Sequence, residues 1–571
     1  MEHNEIYHSE KNNGTFGPCL QKTDYLYNIR GWLTQINNWG NLSSENDLFA
    51  MELYYNSSGP GYGGTPLYNG NISAVTFTSQ YKPDIYAYIY NYDQANRLHN
   101  SYFWKNTGEN WVHDNSFDEN GFTYDANGNI LTLNRYADNE VKIDQLNYNY
   151  LNGGNQVSYI TDAMGDVPGI IDYTGNTSTT QNYHYDLNGN MTSDVHKSID
   201  SIYYNYLNKP ELLDFGSNNK IQYIYDATGV KLAKKVMANN AILGGSSYYL
   251  GNFVYDWDKN LQYILTSEGR LVPTGNTYRY EYFMKDHLGN TRATYAAAAP
   301  GLPQVMEYQH YYPFGMQLEA LGYTSGADLK NNYLYNGKEL QEDYGLNWYD
   351  YGARMYDPVI GRWTTVDPLA EKYKNTSPYV YCIDNPLKYI DSDGRKIKYA
   401  PGTSEKFKKD FTTAVKYLKD HKADGILASL EKSSKVYYIS EATGKISNFD
   451  PEKKTIFWAS DQMLLTNKGV SLSPTSILNH EADHANQSDK HPEQQKVDQK
   501  QDNPMYGNNE EKRVITGSEQ ETAKKLGEIK DGEVTRTDHG GTLFPTSSPT
   551  STEITNIPTI STPKENENEP K

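Results

Sequence analysis

The chain has 571 residues, with 52 Lys and Arg against 71 Asp and Glu and a net charge of −19. That length exceeds one ordinary domain, and the acidity argues against a nucleic-acid backbone or an anionic membrane as the main partner. Two cysteines, Cys19 and Cys382, are too few for a disulfide framework or a cysteine metal site; no apolar run is long enough for a membrane span, and no export signal is visible in this chain.

From about residue 20 a short phrase recurs: "FTYDANGNIL" at 122–131, "YHYDLNGNMT" at 183–192 and "YIYDATGVKL" at 223–232. Each copy alternates aromatic and polar residues, turns at Asn-Gly or a similar pair, and resumes the alternation. That reads as strand, tight turn, strand, because Gly and Asn accept the positive φ that hairpin turns need. One hairpin cannot bury a face alone, so the copies are expected to stack into a long antiparallel sheet assembly over about 20–395. The 53 tyrosines suit it, since each buries a ring and keeps a polar tip.

From about 282 the wording changes, with "YFMKDHLGNTRATY", "YYPFGMQ" and "YDYGARMYDPVIGRWTTVDPLAEKYKNTSPYVYCIDNPLKYIDSDGR". The Y-x-Y-D-x-x-G copies resemble the YD repeats of Rhs proteins, and 282–395 resembles the Rhs repeat-associated core. The resemblance implies a polymorphic toxin. Residues 1–281 would form a YD-repeat β-shell and 282–395 its core, followed by a C-terminal effector that acts on a protein in a target cell. It further implies a secreted or cell-surface protein with a cognate immunity protein. Rhs cores often end in paired D-P-x-G motifs whose aspartates cut the chain. Here those positions read Asp367-Pro368-Leu369-Ala370 and Asp391-Ser392-Asp393-Gly394; the first lacks its glycine and the second its proline. A turn at the end of a sheet explains them equally well.

Only four tyrosines lie beyond residue 400, which sets a domain boundary near 395. Near-helical spacing of Phe407, Phe411, Val415, Leu418, Ile426 and Leu427 predicts one or two helices over 404–433. "KVYYIS" and "KTIFWAS" predict strands, and Ser473-Pro474-Thr475-Ser476 predicts the start of a helix running to about Gln487. Residues 509–527 read as helical, "GEVTRTDHGG" as strand and turn, and the Pro/Ser/Thr/Glu-rich stretch 546–571 as a disordered tail.

Within the helix at 474–487, His480, Glu481 and His484 form H-E-x-x-H. Residues i and i+4 share a helix face, so the two histidines can bind one metal, with Glu481 beside them as general base. Zinc held by three protein ligands keeps a fourth position for water and lowers its pKa to about 7. Two exposed histidines by accident is the plainer reading of the same letters. A third ligand is needed, and 508–528 offers Glu510, Glu511, Glu519 and Glu521. The module resembles the effector metallopeptidases of Rhs-type toxins, and that resemblance puts the third ligand at Glu511, with Glu510 next. Arg536, Asp538 and His539 form a further polar cluster. One of them, His539 first, could stabilise an oxyanion, although a turn explains these residues more simply.

The expected protein is therefore multidomain: an all-β YD-repeat shell, an α+β zincin-like domain over 396–545, and a tail. The expected activity is zinc-dependent peptide-bond hydrolysis, with Glu481 and His539 catalytic and His480, His484 and Glu511 holding zinc. Two rivals remain: a non-enzymatic surface protein whose Tyr-rich sheet binds carbohydrate, and a nuclease effector using His480 or His539 as base.

Overall fold

The computed structural model describes residues 2–554 apart from 13–14, 43–45, 60–63, 175–176, 300, 327–328, 374, 392–393, 395–404, 432–436, 443–445 and 452–453. The chain forms two compact units, 1–398 and 399–571.

The first unit is built of antiparallel hairpins. A 12-stranded sheet runs from Glu2 to Asp162 and a 13-stranded sheet from Ser201 to Thr324, and in both almost every strand pairs with its sequence neighbours. The second sheet passes through residue 281 unbroken, within the strand Thr277–Lys285. The repeats are hairpins as expected, but the aspartate closes the turn. Asp125 Oδ1 accepts the backbone N–H groups of Asn127 and Asn129, both at 2.8 Å, and Gly128 takes the positive φ of 81°. Asp186 and Asp226 repeat this with Gly189 and Gly229. The loop is longer than a two-residue hairpin turn, and the left-handed position falls on Gly alone.

One hydrophobic cluster spans Leu20 to Leu387, so the 282–391 segment packs into the same core as the repeats. Buried tyrosines find backbone acceptors across that core: Tyr148 donates to the Ile360 carbonyl at 3.1 Å and Tyr312 to the Tyr136 carbonyl at 2.6 Å. A phenolic hydroxyl taken out of water needs such a partner, and this explains how a Tyr-rich sheet packs an interior. Charge is buried in the same way: Arg135 is fully buried between Glu119 and Asp144.

The second unit is α+β. Helices Glu405–Asp420 and Gly425–Glu431 cover the predicted 404–433 stretch, with Phe407, Leu418 and Leu427 buried. The strands Tyr438–Glu441 and Thr455–Trp458 pair in parallel, with Asn448–Asp450 antiparallel on the far side of Thr455–Trp458. The motif helix runs Pro474–Lys490 and buries Leu478, Ala482 and Ala485. Two expectations are corrected. The strand after 532 is Gly541–Pro545, paired with Gln462–Thr466, because Thr535 and Arg536 turn inward to bind a carboxylate. Residues 546–549 are docked rather than disordered: Thr546 N–H donates to the Asp461 carbonyl and Thr475 N–H to the Pro549 carbonyl, both at 2.9 Å. The remainder of the expected tail, 555–571, lies outside the described residues. Among the described residues no helix is long and apolar enough to cross a membrane.

Candidate functional site

Three capping interactions aim the motif helix. Ser473 Oγ accepts the Ser476 N–H at 3.3 Å, Pro474 occupies the first turn, and the Pro549 carbonyl takes the Thr475 N–H. The first-turn N–H groups that a helix leaves unpaired are thus satisfied. Farther along, Asn479 is pinned by Thr522 Oγ1 at 2.8 Å, which ties the motif helix to the glutamate-bearing helix that follows.

That second helix starts at Asn509, capped by Asn508 Oδ1 accepting the Glu511 N–H at 2.8 Å, and continues through a π-turn at Ile515–Glu519 into Gln520–Lys525. The π-turn matters for the site. On a regular α-helix, residues eight apart are rotated by about 80°. One inserted residue brings Glu511 and Glu519 to within about 20° of each other, and both face the motif helix.

The result is a layered cluster. His480 Nε2 and His484 Nε2 lie 3.3 Å apart, and Glu511 reaches both, with Oε2 at 3.4 Å from His480 and Oε1 at 3.3 Å from His484. On their outer sides, His480 Nδ1 meets Glu519 Oε2 at 2.8 Å and His484 Nδ1 meets Glu510 Oε1 at 3.0 Å. Arg536 and Thr535 in turn hold Glu519, and Arg513 holds Glu510.

His480, His484 and Glu511 are the one group among the described residues whose donor atoms, within 4.8 Å of one another, could hold a metal ion. Their separations suit that task, because donors about 2.0–2.1 Å from a tetrahedral zinc stand about 3.3–3.4 Å from each other. Glu511 Oε2 is buried and makes no well-formed hydrogen bond. Three carboxylates, Glu510, Glu511 and Glu519, stand against the histidines with two guanidiniums, Arg513 on Glu510 and Arg536 on Glu519, which among the described residues leaves Glu511 without a guanidinium.

Burial opposes the charged form of His480, but the adjacent Glu511 and Glu519 carboxylates override it and lift the pKa to about 8. His484 is similarly disfavoured by burial and lifted to about 10 by Glu510 and Glu511. Burial raises each glutamate, yet the histidines hold Glu511 far below the usual carboxylate range, and Arg513 and His484 bring Glu510 to about 2.

Glu481 is half-buried and lines the same cleft of about 460 Å³, as does His539. His539 is 57% exposed, with Nε2 at 3.4 Å from Glu511 Oε2. One wall is the 446–449 stretch, leading into the strand Asn448–Asp450; Leu464, Leu472, Ile477 and Leu543 add apolar surface. The other two members of the expected polar cluster are placed differently. Arg536 is committed to Glu519, and Asp538 accepts from Asn467 and from the Gly540 N–H. Glu521 is on the surface, paired with Lys525. The outward roles of Glu510, Glu519, Arg513 and Arg536 had no signal in the local pattern beyond the density of acids.

In the first unit, Asp367 and Asp391 do come together, each 3.0 Å from Arg354 Nη2. Arg354 Nε donates to the Gly394 carbonyl at 2.7 Å, while Ser392 and Asp393 lie outside the described residues. Burial, with Asp391 nearby, pushes the Asp367 carboxyl above its ordinary range against the pull of the Arg354 guanidinium.

No family model matches the chain. It is 27% identical to Salivary gland surface protein 1 of Aedes aegypti over 33% of this chain and 6% of that protein. It is 23% identical to toxin subunit YenC1 of Yersinia entomophaga over 44% of this chain and 34% of that protein. Against the tRNA3(Ser)-specific nuclease WapA of Bacillus spizizenii it is 24% identical over 43% of this chain and 9% of that protein. The chain thus spans about a third or less of the curated relatives it matches. Among solved structures, TcdB2-TccC3-Cdc42 aligns over 69% of this chain and 20% of that chain, at 15% identity and a TM-score of 0.40. The similarity to a toxin subunit accords with the toxin resemblance; the histidine motif is argued from its geometry.

Proposed function

We propose that the second unit is a zinc-dependent peptidase, carried by a YD-repeat toxin shell and directed at a protein of a target cell. The observation that supports it most is the tripod of His480 Nε2, His484 Nε2 and Glu511, with edges of 3.3–3.4 Å and Nδ1 of each histidine turned outward onto a carboxylate. Those three residues would hold the ion. When bound, zinc polarises a carbonyl and lowers the pKa of a coordinated water to about 7.

The chain's own residues supply the rest. Glu481, in the cleft and outside the ligand set, accepts the proton of the attacking water and returns it to the departing amine. His539, at the exposed edge of the cleft, donates to the carbonyl oxygen as charge develops on it. The apolar wall excludes water and seats a side chain of the substrate. Similarity to a toxin subunit supports secretion or surface display, and an enzyme of this kind needs a cognate immunity protein in the producing cell. The acidity of the cleft weighs against a nuclease.

The test is metal content and hydrolysis by the full chain. One zinc per chain and chelator-sensitive cleavage of a peptide library are expected, with His480→Ala and His484→Ala losing both. A folded chain that takes up no zinc would leave the non-enzymatic surface reading in its place.

A further inference from the structure

We infer that Glu510 and Glu519 are positioning residues, each accepting the Nδ1–H of one motif histidine and so fixing the tautomer that turns Nε2 toward Glu511. This inference rests on the peptidase reading above and assigns work to residues outside the ligand set and the catalytic base.

The three glutamates beside the histidines differ in what else they touch. Glu510 is 1% exposed and is forked by Arg513, whose Nε donates to Oε2 at 2.9 Å and Nη2 to Oε1 at 2.8 Å. Glu519 is 2% exposed and is held by Arg536 at 3.1 and 2.5 Å and by Thr535 Oγ1 at 2.7 Å. Among the described residues Glu511 has no arginine or lysine partner, and its Oε2 lacks a hydrogen bond.

A carboxylate neutralised by a guanidinium is a poor metal ligand but a fixed hydrogen-bond acceptor; one with free lone pairs is the reverse. The cluster therefore sorts itself into one inner carboxylate and two outer ones. Each outer carboxylate closes an Arg–Glu–His relay: Arg536–Glu519–His480 on one side and Arg513–Glu510–His484 on the other.

Neutral imidazole carries one N–H, and the nitrogen without it is the ligand. An acceptor buried at 2.8–3.0 Å from Nδ1 selects the Nδ1–H form and stops the ring from flipping. The π-turn at Ile515–Glu519 serves the same end, because it allows Glu519 to reach His480 while Glu511, eight residues earlier, faces the gap between the rings.

The experiment measures zinc affinity of the full chain by competition with a chromophoric chelator, alongside the visible spectrum of the Co²⁺-substituted protein and the thermal melt. Glu510→Gln and Glu519→Gln are each expected to weaken zinc binding about 10–100-fold and to alter the Co²⁺ bands, as loss of a partner behind a metal-ligating histidine does. Glu521→Gln, on the surface, is expected to change neither. A merely structural role would lower the melting temperature and leave the affinity of the folded fraction and the Co²⁺ bands at wild-type values; that result in both variants overturns the inference. The two carboxylates are tested separately, so misfolding of one variant leaves the other decisive. If the wild-type chain binds zinc and Glu511→Gln releases it while Glu510→Gln and Glu519→Gln do not, this inference fails alone. A wild-type chain without zinc affinity overturns it together with the peptidase reading.

Discussion

Glu511→Gln is the sharpest perturbation of the site, because Glu511 touches both motif histidines and Glu521, ten residues on, touches neither. The substitution removes one charged ligand and keeps the size. Structural zinc sites with four ligands are worth about 10–16 kcal/mol, or roughly 2.5–4 kcal/mol per ligand. Losing one should therefore weaken zinc binding by about 10²–10³-fold. Chelator competition at pH 7 reads this directly, with Glu521→Gln as the matched control. The metal-free variant should also lose part of the lift on its histidines, since Glu511 contributes to it for both while Glu519 and Glu510 remain. Equal zinc affinities for Glu511→Gln, Glu521→Gln and wild type would refute the ligand assignment and return the third position to Glu510 or Glu519.

Three further outcomes follow from the structure. Arg135→Met leaves Glu119 and Asp144 buried without their cation; chemical denaturation should show the first unit destabilised by about 3–5 kcal/mol, and a loss under 1 kcal/mol would mean that water reaches the pair. Asn508→Ala removes the cap on the helix that carries Glu511; a cost of about 0.5–2 kcal/mol in the second unit is expected, with weaker zinc binding, whereas unchanged stability would deny the cap its role. The metal-free second unit should depend on pH in a defined direction. His480 and His484 are raised to about 8 and about 10, so their stabilisation is full below about pH 6.5 and is lost as pH rises through those values. Glu510 and Glu519 are lowered to about 2, so theirs is full above about pH 4.5 and is lost toward that value. Melting temperature in chelator should peak between about pH 4.5 and 6.5 and fall above it, and zinc should move the optimum upward, because binding requires neutral imidazoles. A metal-free melt that rises through pH 8 would contradict the ion-pair account.

Much of the architecture was legible because its causes are local. The Asp-x-x-Gly copies carry their own turn chemistry, so the hairpin repeats could be read without tertiary information, although which side chain closes each loop could not. Ser473-Pro474 marked the motif helix for the same reason. The histidine pair was legible because i and i+4 share a face. Glu511 was reachable only through resemblance, since four acids lie nearby and a π-turn shifts their facing in a way that regular periodicity does not encode. The outward roles of Glu510 and Glu519, as opposed to their candidacy as ligands, escaped for another reason: the histidines they hold lie 26 and 39 residues away, on another helix. Residues 546–549 looked disordered by composition, yet the motif helix needs an acceptor for the Thr475 N–H, and the Pro549 carbonyl supplies it. The strand expected within 532–541 begins only at Gly541, because the side chains before it are drawn into the site.

The central claim is that this cleft hydrolyses peptide bonds with Glu481 as the base, and Glu481→Gln in the zinc-loaded full chain tests it most directly. Glutamine keeps the shape and one acceptor oxygen but cannot take a proton, and the residue is outside the ligand set. Zinc affinity should stay at the wild-type value while peptide hydrolysis, followed by mass spectrometry of a substrate library, falls by about 10²–10⁴-fold. A folded, zinc-loaded Glu481→Gln chain that cleaves at the wild-type rate would contradict the account.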